Sequence, residues 1–286
     1  MKCFHHNDMD GRSAGAIVAH YEEAYKQEDF IEVDYMQPLP LHLVNNGEKV
    51  YFVDYSFKED TVWQLDELIK KTQDIIWCDH HTSSIKLLES RPDLKEIKGI
   101  IQDGISGAGL IYMYLHDEKD ITDCPKFIQL VSDYDCWIYK FGDITTHFKL
   151  GVDSVDNSAL SDLWFNLIDD IGHNYLEYIQ SKGAIIKSYI DEDNAQYLSQ
   201  YGYESELDGV KCYVVNRKSN SWIFGDKINQ YPFVSVYAFN GTKFSYSLFS
   251  TDKNFDCSKL AEKFGGGGHK GAAGFSSDKL LFNKVR

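Results

Sequence analysis

Three short clusters in the sequence combine carboxylates with imidazoles: His5-His6-Asn7-Asp8-Met9-Asp10, Asp54, and Asp79-His80-His81. Each follows or ends an apolar, β-rich run: Lys2–His6, Lys49–Tyr55 and Asp74–Cys78. Aspartate oxygens and histidine nitrogens without thiolates suit Mn²⁺, Mg²⁺, Fe²⁺ or Zn²⁺ rather than a structural zinc site. A lone Asp-x-Asp is commonly a solvated loop, and a lone His-Asp pair a surface hydrogen bond. Three such clusters after three apolar runs are harder to dismiss. Carboxylates crowded on one rim repel one another strongly unless cations stand between them.

What would bring them to one rim is a parallel sheet. The first half alternates strand and helix patterns: helices are expected from Ser13 to about Tyr25, Glu59 to Lys71 and Ala108–Leu115, with a fourth strand at Ile97–Ile101. That alternation implies an α/β domain with both sheet faces covered. The carboxyl ends of its strands share one edge, where ligand sites form. Asn174–Tyr197 reads as one long helix. Beyond Gly202 the texture turns β-branched and aromatic, at Lys211–Val215, Phe233–Phe239 and Lys243–Phe249. The last two flank Asn240-Gly241, a strong hairpin signal. Asp256 is placed to cap a short helix before Gly265–Gly268. The expectation is a catalytic domain with a linker helix over 1–195 and a smaller, antiparallel α+β domain over 196–286, with the active-site cleft between them.

Composition bounds the partners. The chain has 286 residues and a formal net charge of −15. A surface this acidic argues against gripping duplex DNA or an anionic membrane by bulk charge. No apolar run approaches the length of a membrane span, and the N-terminus lacks a signal-peptide core, so a cytoplasmic protein is expected. The six cysteines are scattered with no C-x-x-C, as in a protein of reduced thiols.

The motifs HHNDMDG, VDYS, DHH and GGGGHKGAAGF, in this order, resemble those of the DHH phosphoesterase superfamily with its DHH-associated C-terminal domain. The resemblance spans almost the whole chain and is nearest to the nanoRNase and oligoribonuclease group. It implies two divalent cations, usually manganese, with magnesium or another divalent ion as the alternative. His6, Asp8 and Asp54 would hold one ion, and Asp10, Asp54, His80 and Asp133 the other, with Asp54 shared. Asp135 rivals Asp133, and His5 rivals His6. Asp79 would orient a ligand imidazole, and His81 would contact the scissile phosphate, which a metal-activated water attacks. Gly267, Gly268, His269 and Lys270 would grip a terminal phosphate or base, with Arg217 as a further phosphate contact. Ser106-Gly-Ala-Gly109 either faces substrate, as the family segment does, or simply starts a helix. Asp103 is read as capping that turn.

The reading is a metal-dependent phosphodiesterase that cleaves short single-stranded oligonucleotides or linear dinucleotides to nucleoside monophosphates. Its rivals are a cyclic or linear dinucleotide signal phosphodiesterase, a single-strand DNA exonuclease, and a non-enzymatic nucleotide sensor or sponge. Neither duplex DNA nor a membrane is an expected partner, and a homodimer is left open.

Overall fold

The computed structural model describes residues 1–169, 174–218, 221–268 and 270–284. The chain divides into two compact units, Met1–Lys187 and Ser188–Arg286. Among the described residues no helix is long and apolar enough to cross a membrane.

The first unit is built on a four-stranded sheet of β1 (Lys2–His6), β2 (Phe30–Val33), β3 (Val50–Val53) and β4 (Ile75–Cys78), ordered β2-β1-β3-β4. Every pairing is parallel, with His5 beside Val53 and Val53 beside Cys78. Strands β3 and β4 are buried throughout, as a sheet covered on both faces requires. Alternate side chains sort to the two faces. Cys3, Tyr51 and Ile76 pack with α1 (Met9–Tyr21), α4 (Gly107–His116) and α5 (Lys126–Asp135). Phe4, Phe52 and Trp77 pack with Leu65 and Leu68 of α2 (Trp63–Lys71). The expected strand over Ile97–Ile101 is reduced to two isolated parallel bridges, Ile76 with Lys98 and Asp79 with Ile101. Strand β2 and helix α3 (Thr82–Ser90) were not expected from the sequence. The unit is completed by α6 (Asp143–Asp153), α7 (Asp162–Ile168) and the first part of α8 (Tyr175–Tyr201).

Strand order fixes where a site can form. The chain leaves β1 for β2 on one side and returns to β3 on the other, so the strand order reverses between β1 and β3. In open α/β sheets the crevice outside the carboxyl ends at such a reversal is where ligands bind. His6 ends β1, and Asp54 follows β3 directly.

The second unit holds a six-stranded sheet, β5 (Tyr203–Leu207), β6 (Val210–Asn216), β7 (Phe233–Phe239), β8 (Phe244–Phe249), β9 (Gly267–Gly268) and β10 (Ala272–Ser277), ordered β5-β6-β7-β8-β10-β9. It is mixed rather than antiparallel, because β6 and β7 run parallel. The excursion between them, residues 217–232, is long enough to return the chain to the same end of the sheet. Helix α9 (Cys257–Glu262) covers one face, with Asp256 capping it through Ser258 and Lys259 N–H groups. Leu198, Ile223 and Phe224 cover the other. The glycine run forms a tight hairpin: Gly267 and Gly268 pair with Gly274 and Ala273. Gly268 takes a φ of 144°, which only glycine adopts readily, and an added Cβ would lie 2.6 Å from the Ala273 Cα.

Candidate metal centre

The rim at the carboxyl ends of β1, β3 and β4 brings together His6, Asp8, Asp54, His80 and His81, joined by Asp135 from the end of α5. Asp54 is central. Its side chain is almost wholly buried, and its backbone sits at a φ of 54°, in the left-handed region. Asp54 Oδ2 lies 3.8 Å from His6 Nδ1, and Oδ1 lies 3.3 Å from His80 Nε2 and 3.9 Å from His81 Nδ1. One carboxylate thus offers a different oxygen to each of two donor sets. Oδ2 is buried with no hydrogen-bond partner among the described residues. A buried carboxylate oxygen left unpaired is costly unless something else satisfies it.

The second set is formed by His80, whose Nε2 stands 3.1 Å from Asp135 Oδ2 and 3.8 Å from Asp10 Oδ2. Its Nδ1 is 3.9 Å from the half-buried Cys136 Sγ. Asp10 is buried in the first turn of α1. Its two oxygens accept from the Gly107 and Ala108 N–H groups at 2.6 and 2.8 Å. The N-terminus of α4 therefore points its partial positive charge at Asp10. Gly107 permits this approach, since a Cβ there would stand 2.6 Å from Asp54 Cβ. Ser106 caps the same helix through Gly109 N–H, so the SGAG segment is a helix start that supports Asp10 and Asp54 from behind.

The sequence alternatives separate geometrically. His6 faces the cluster, its Nδ1 2.7 Å from Asp8 Oδ2. His5 points into the core, donating from Nδ1 to the His6 carbonyl, and burial pulls its pKa down. Asp133, the carboxylate favoured from the sequence, is turned away from the cluster. It accepts from Lys140 and Phe141 N–H and from the Thr145 hydroxyl, pinning the loop after α5. Trp137 and Tyr139 in that loop take left-handed φ values of 56° and 52°. Such strain in bulky residues persists only where surroundings enforce it. Asp135 lies two residues on, about half a turn round the helix, and it is the carboxylate that reaches His80. Asp79 orients His81 rather than His80, accepting from its Nδ1 at 2.7 Å and from the Ser84 hydroxyl at 2.5 Å. Asp103 Oδ1 accepts from Gly104 N–H and lies in an exposed turn.

Two neighbours of the cluster were not picked out from the sequence. Cys136 follows Asp135 directly, and that adjacency was a signal. Tyr35 carried none: it lies after the unexpected strand β2, its ring 5.4 Å from His6 and 6.3 Å from His81.

Protonation shows how the cluster stands without cations. Burial, then the charge of Asp135, pushes Asp10 up to about 7. Burial, then the charge of Asp10, pushes Asp54 well above the carboxylate range. Burial opposes charging His80, but its bonds to Asp135 and Asp54 prevail and raise it. His6 is raised first by its bond to Asp8. Asp8 alone moves down, to about 2: burial works against ionisation, but hydrogen bonds from His6 and Gly11 N–H outweigh it. These shifts favour protons on Asp10, Asp54 and His80, where cations would otherwise balance the charge. Asp8, Asp10, Asp54 and Asp135 with neutral imidazoles suit two divalent ions, and the donor set and the orphaned Asp54 oxygen both fit them.

The residues expected to bind substrate in the second unit are described by themselves. Gly267 and Gly268 are exposed in the β9 hairpin. Lys270 is exposed, and its carbonyl accepts from Cys257 N–H at 2.9 Å. His269 lies outside the described residues. Arg217 donates from Nη2 to Asp193 at 2.6 Å and stacks over Tyr197 at 4.7 Å, so its charge is already partly neutralised.

No family model matches the chain. The uncharacterized protein R106 of Acanthamoeba polyphaga mimivirus is 31% identical over 258 residues, 84% of this chain and 56% of the viral one. The chain thus spans just over half the length of that relative. Oligoribonuclease NrnB of Bacillus subtilis (strain 168) is 21% identical over 298 aligned positions, covering 96% of this chain and 72% of that protein. Among solved structures, the pGpG-specific phosphodiesterase PggH from Vibrio cholerae superposes with a TM-score of 0.58 at 13% identity, covering 97% of this chain and 94% of that one. The DHH domain of a member of a family of ribosomal proteins gives a TM-score of 0.55 at 15% identity, covering 95% and 81%. At these identities the structural likeness is one of fold.

Two outcomes follow for this site. The raised groups Asp10, Asp54, His80 and His6 bind more protons folded than unfolded, so their contribution is present at low pH and is lost as pH rises through their folded values. Without metal, Tm should fall by at least about 2 °C between about pH 5 and pH 8. Added Mn²⁺ competes with those protons, so its stabilisation should grow over the same range. Thermal melts in chelator and in Mn²⁺ check both signs. Second, Asp133→Ala should lower the metal-free Tm, because it strips three donors of their acceptor, at about 1–3 kcal/mol for a buried group left unpaired. Asp135→Ala should leave the metal-free Tm unchanged or higher, yet weaken the Mn²⁺-induced rise. The opposite pattern would return the ligand position to Asp133.

Proposed function

From the premise that the chain has the fold of the DHH phosphoesterases, we propose that it is a divalent-metal-dependent phosphodiesterase. We propose further that Mn²⁺ is its metal and that its substrates are short single-stranded oligonucleotides, down to linear dinucleotides, hydrolysed to nucleoside monophosphates. The observation that carries this reading is the Asp54 carboxylate, with one oxygen toward His6 and Asp8 and the other toward His80. His6, Asp8 and Asp54 would hold one ion. Asp10, Asp54, His80 and Asp135 would hold the other. The chemistry such ions supply is acidification of the attacking water and neutralisation of charge on the phosphoryl oxygens.

The chain's own side chains do the positioning. Asp79 accepts from His81 Nδ1, which fixes the ring and leaves Nε2 for the phosphate. The Ser84 hydroxyl holds the other Asp79 oxygen, so the imidazole is braced from behind. Burial of Asp10 and Asp54 keeps water from competing with the ligands they present. The glycine hairpin with His269 and Lys270 would bind the substrate's terminal phosphate.

Length preference follows from charge. A net charge of −15 offers no extended basic track for a long strand. Affinity should come from the scissile phosphate and one end of the substrate. The NrnB relative, which its name calls an oligoribonuclease, supports the same substrate class.

Initial rates with Mn²⁺ on 5′-phosphorylated dinucleotides, five-mers, a 24-mer, cyclic dinucleotides and pyrophosphate test this. kcat/KM should be higher on two- to five-mers than on the 24-mer. His81→Ala should lose kcat while keeping the Mn²⁺-induced Tm rise, and His269→Ala should raise KM more than it lowers kcat. Faster, processive degradation of the 24-mer would favour an exonuclease, and Mn²⁺ binding without turnover on any substrate would favour a sensor.

A further inference from the structure

Beside the metal centre lies a pocket of about 260 Å³, lined by Tyr35, Met36, Gln37, Tyr55, Lys58 and Trp63 among others. We propose that it takes one nucleobase of the substrate, the base next to the phosphate that His81 faces. The proposal rests on the phosphodiesterase reading and adds to it a place for the base, in the first unit.

Tyr35 belongs to both sites. Its ring lies 5.4 Å from His6 and 6.3 Å from His81, and it also forms a wall of the pocket. A nucleotide whose phosphate meets His81 therefore has this pocket within reach across the Tyr35 ring. The wall is rigid. Tyr35 stacks on Tyr55 at 5.2 Å and 19°, and its hydroxyl accepts from Ser56 N–H at 3.1 Å. Tyr55 is held in turn by Trp77, whose indole N–H donates to its carbonyl at 2.9 Å. The turn carrying Tyr35 is closed by Asp34, which accepts from Met36 N–H at 2.8 Å.

Chemistry then selects the occupant. Trp63 is 53% exposed and Met36 87%, both large apolar side chains left in water at the lip of a pocket. Planar π-faces and a soft thioether suit a flat heterocycle. Asp60 also lines the pocket, but Lys58, whose ammonium lies 4.9 Å from the Tyr35 ring centre, makes no ion pair with it or with any other carboxylate among the described residues. A cation at this spot, in a chain of net charge −15, favours a ligand that carries phosphate along with its base. The volume is below the about 300–1,000 Å³ of pockets that engulf drug-sized ligands, which fits a single base.

The test uses the full chain with Mn²⁺ and two kinds of substrate: a 5′-phosphorylated dinucleotide, and analogues of it abasic at one position or the other. Trp63→Ala should lower kcat/KM on the dinucleotide at least about fivefold, the low end for loss of a stacked base, mostly through KM. Trp63→Phe should recover most of this. On one of the two abasic analogues, wild type and Trp63→Ala should become equal. An equal loss on all three substrates, or no loss on any, would overturn the base pocket. Binding is read separately by titrating tryptophan fluorescence with a nucleoside monophosphate. Quenching that disappears in Trp63→Phe supports the pocket even if wild type cleaves nothing, an outcome that would sink only the phosphodiesterase reading. Quenching that is absent, or unchanged in Trp63→Phe, overturns the pocket even if the enzyme is active.

Discussion

Asp54 is a buried carboxylate that cannot satisfy both of its own oxygens. It sits where the strand order reverses, at the end of a strand with no exposed residue, in a left-handed backbone conformation. Every neighbour serves that carboxylate or adds to its difficulty. His6 and His80 approach from either side, while Asp8, Asp10 and Asp135 add negative charge. The start of α4 presses in so closely that only glycine fits at 107. Keeping such a group charged while water is withdrawn from it costs several kcal/mol. Protons on Asp10, Asp54 and His80 relieve that cost without metal, and divalent cations would relieve it better.

Much of this cluster was legible in the sequence because most of the candidate ligands follow strands. An apolar run ending in Asp54, or in Asp79-His80-His81, marks a side chain delivered to the sheet's carboxyl edge, and parallel topology does the rest. The short strand β2, Phe30–Val33, was missed because a charged Glu32 interrupts its apolar pattern, and Tyr35 was missed along with it. Asp133 and Asp135 could not be separated by pattern. Both lie in the last turn of α5, and helix rotation decides which reaches His80 and which turns back to hold the following loop. The second sheet was expected to be antiparallel because one hairpin signal dominated. The parallel β6–β7 pair depends on a long excursion whose path leaves no periodic trace.

Under the proposed function, the same geometry would let an acidic chain act on a short polyanion. Part of its acidity, at Asp8, Asp10, Asp54 and Asp135, lies where bound cations would reverse it, and the nearby surface offers small recognition elements, a braced imidazole at His81 and an aromatic pocket beside Tyr35. Recognition built from such local contacts would gain little from nucleotides beyond the first few. A protein that tracked long strands would need a basic groove, and the overall charge works against one.

The central claim is that Asp54 holds two cations at once. Electron paramagnetic resonance during a Mn²⁺ titration reads this directly, because two ions bridged by one carboxylate couple their spins. The account predicts two Mn²⁺ per wild-type chain with a coupled spectrum, and in Asp54→Asn a folded protein that binds fewer ions and shows no coupling. Two coupled ions surviving in Asp54→Asn, or only isolated ions in the wild type, would contradict it.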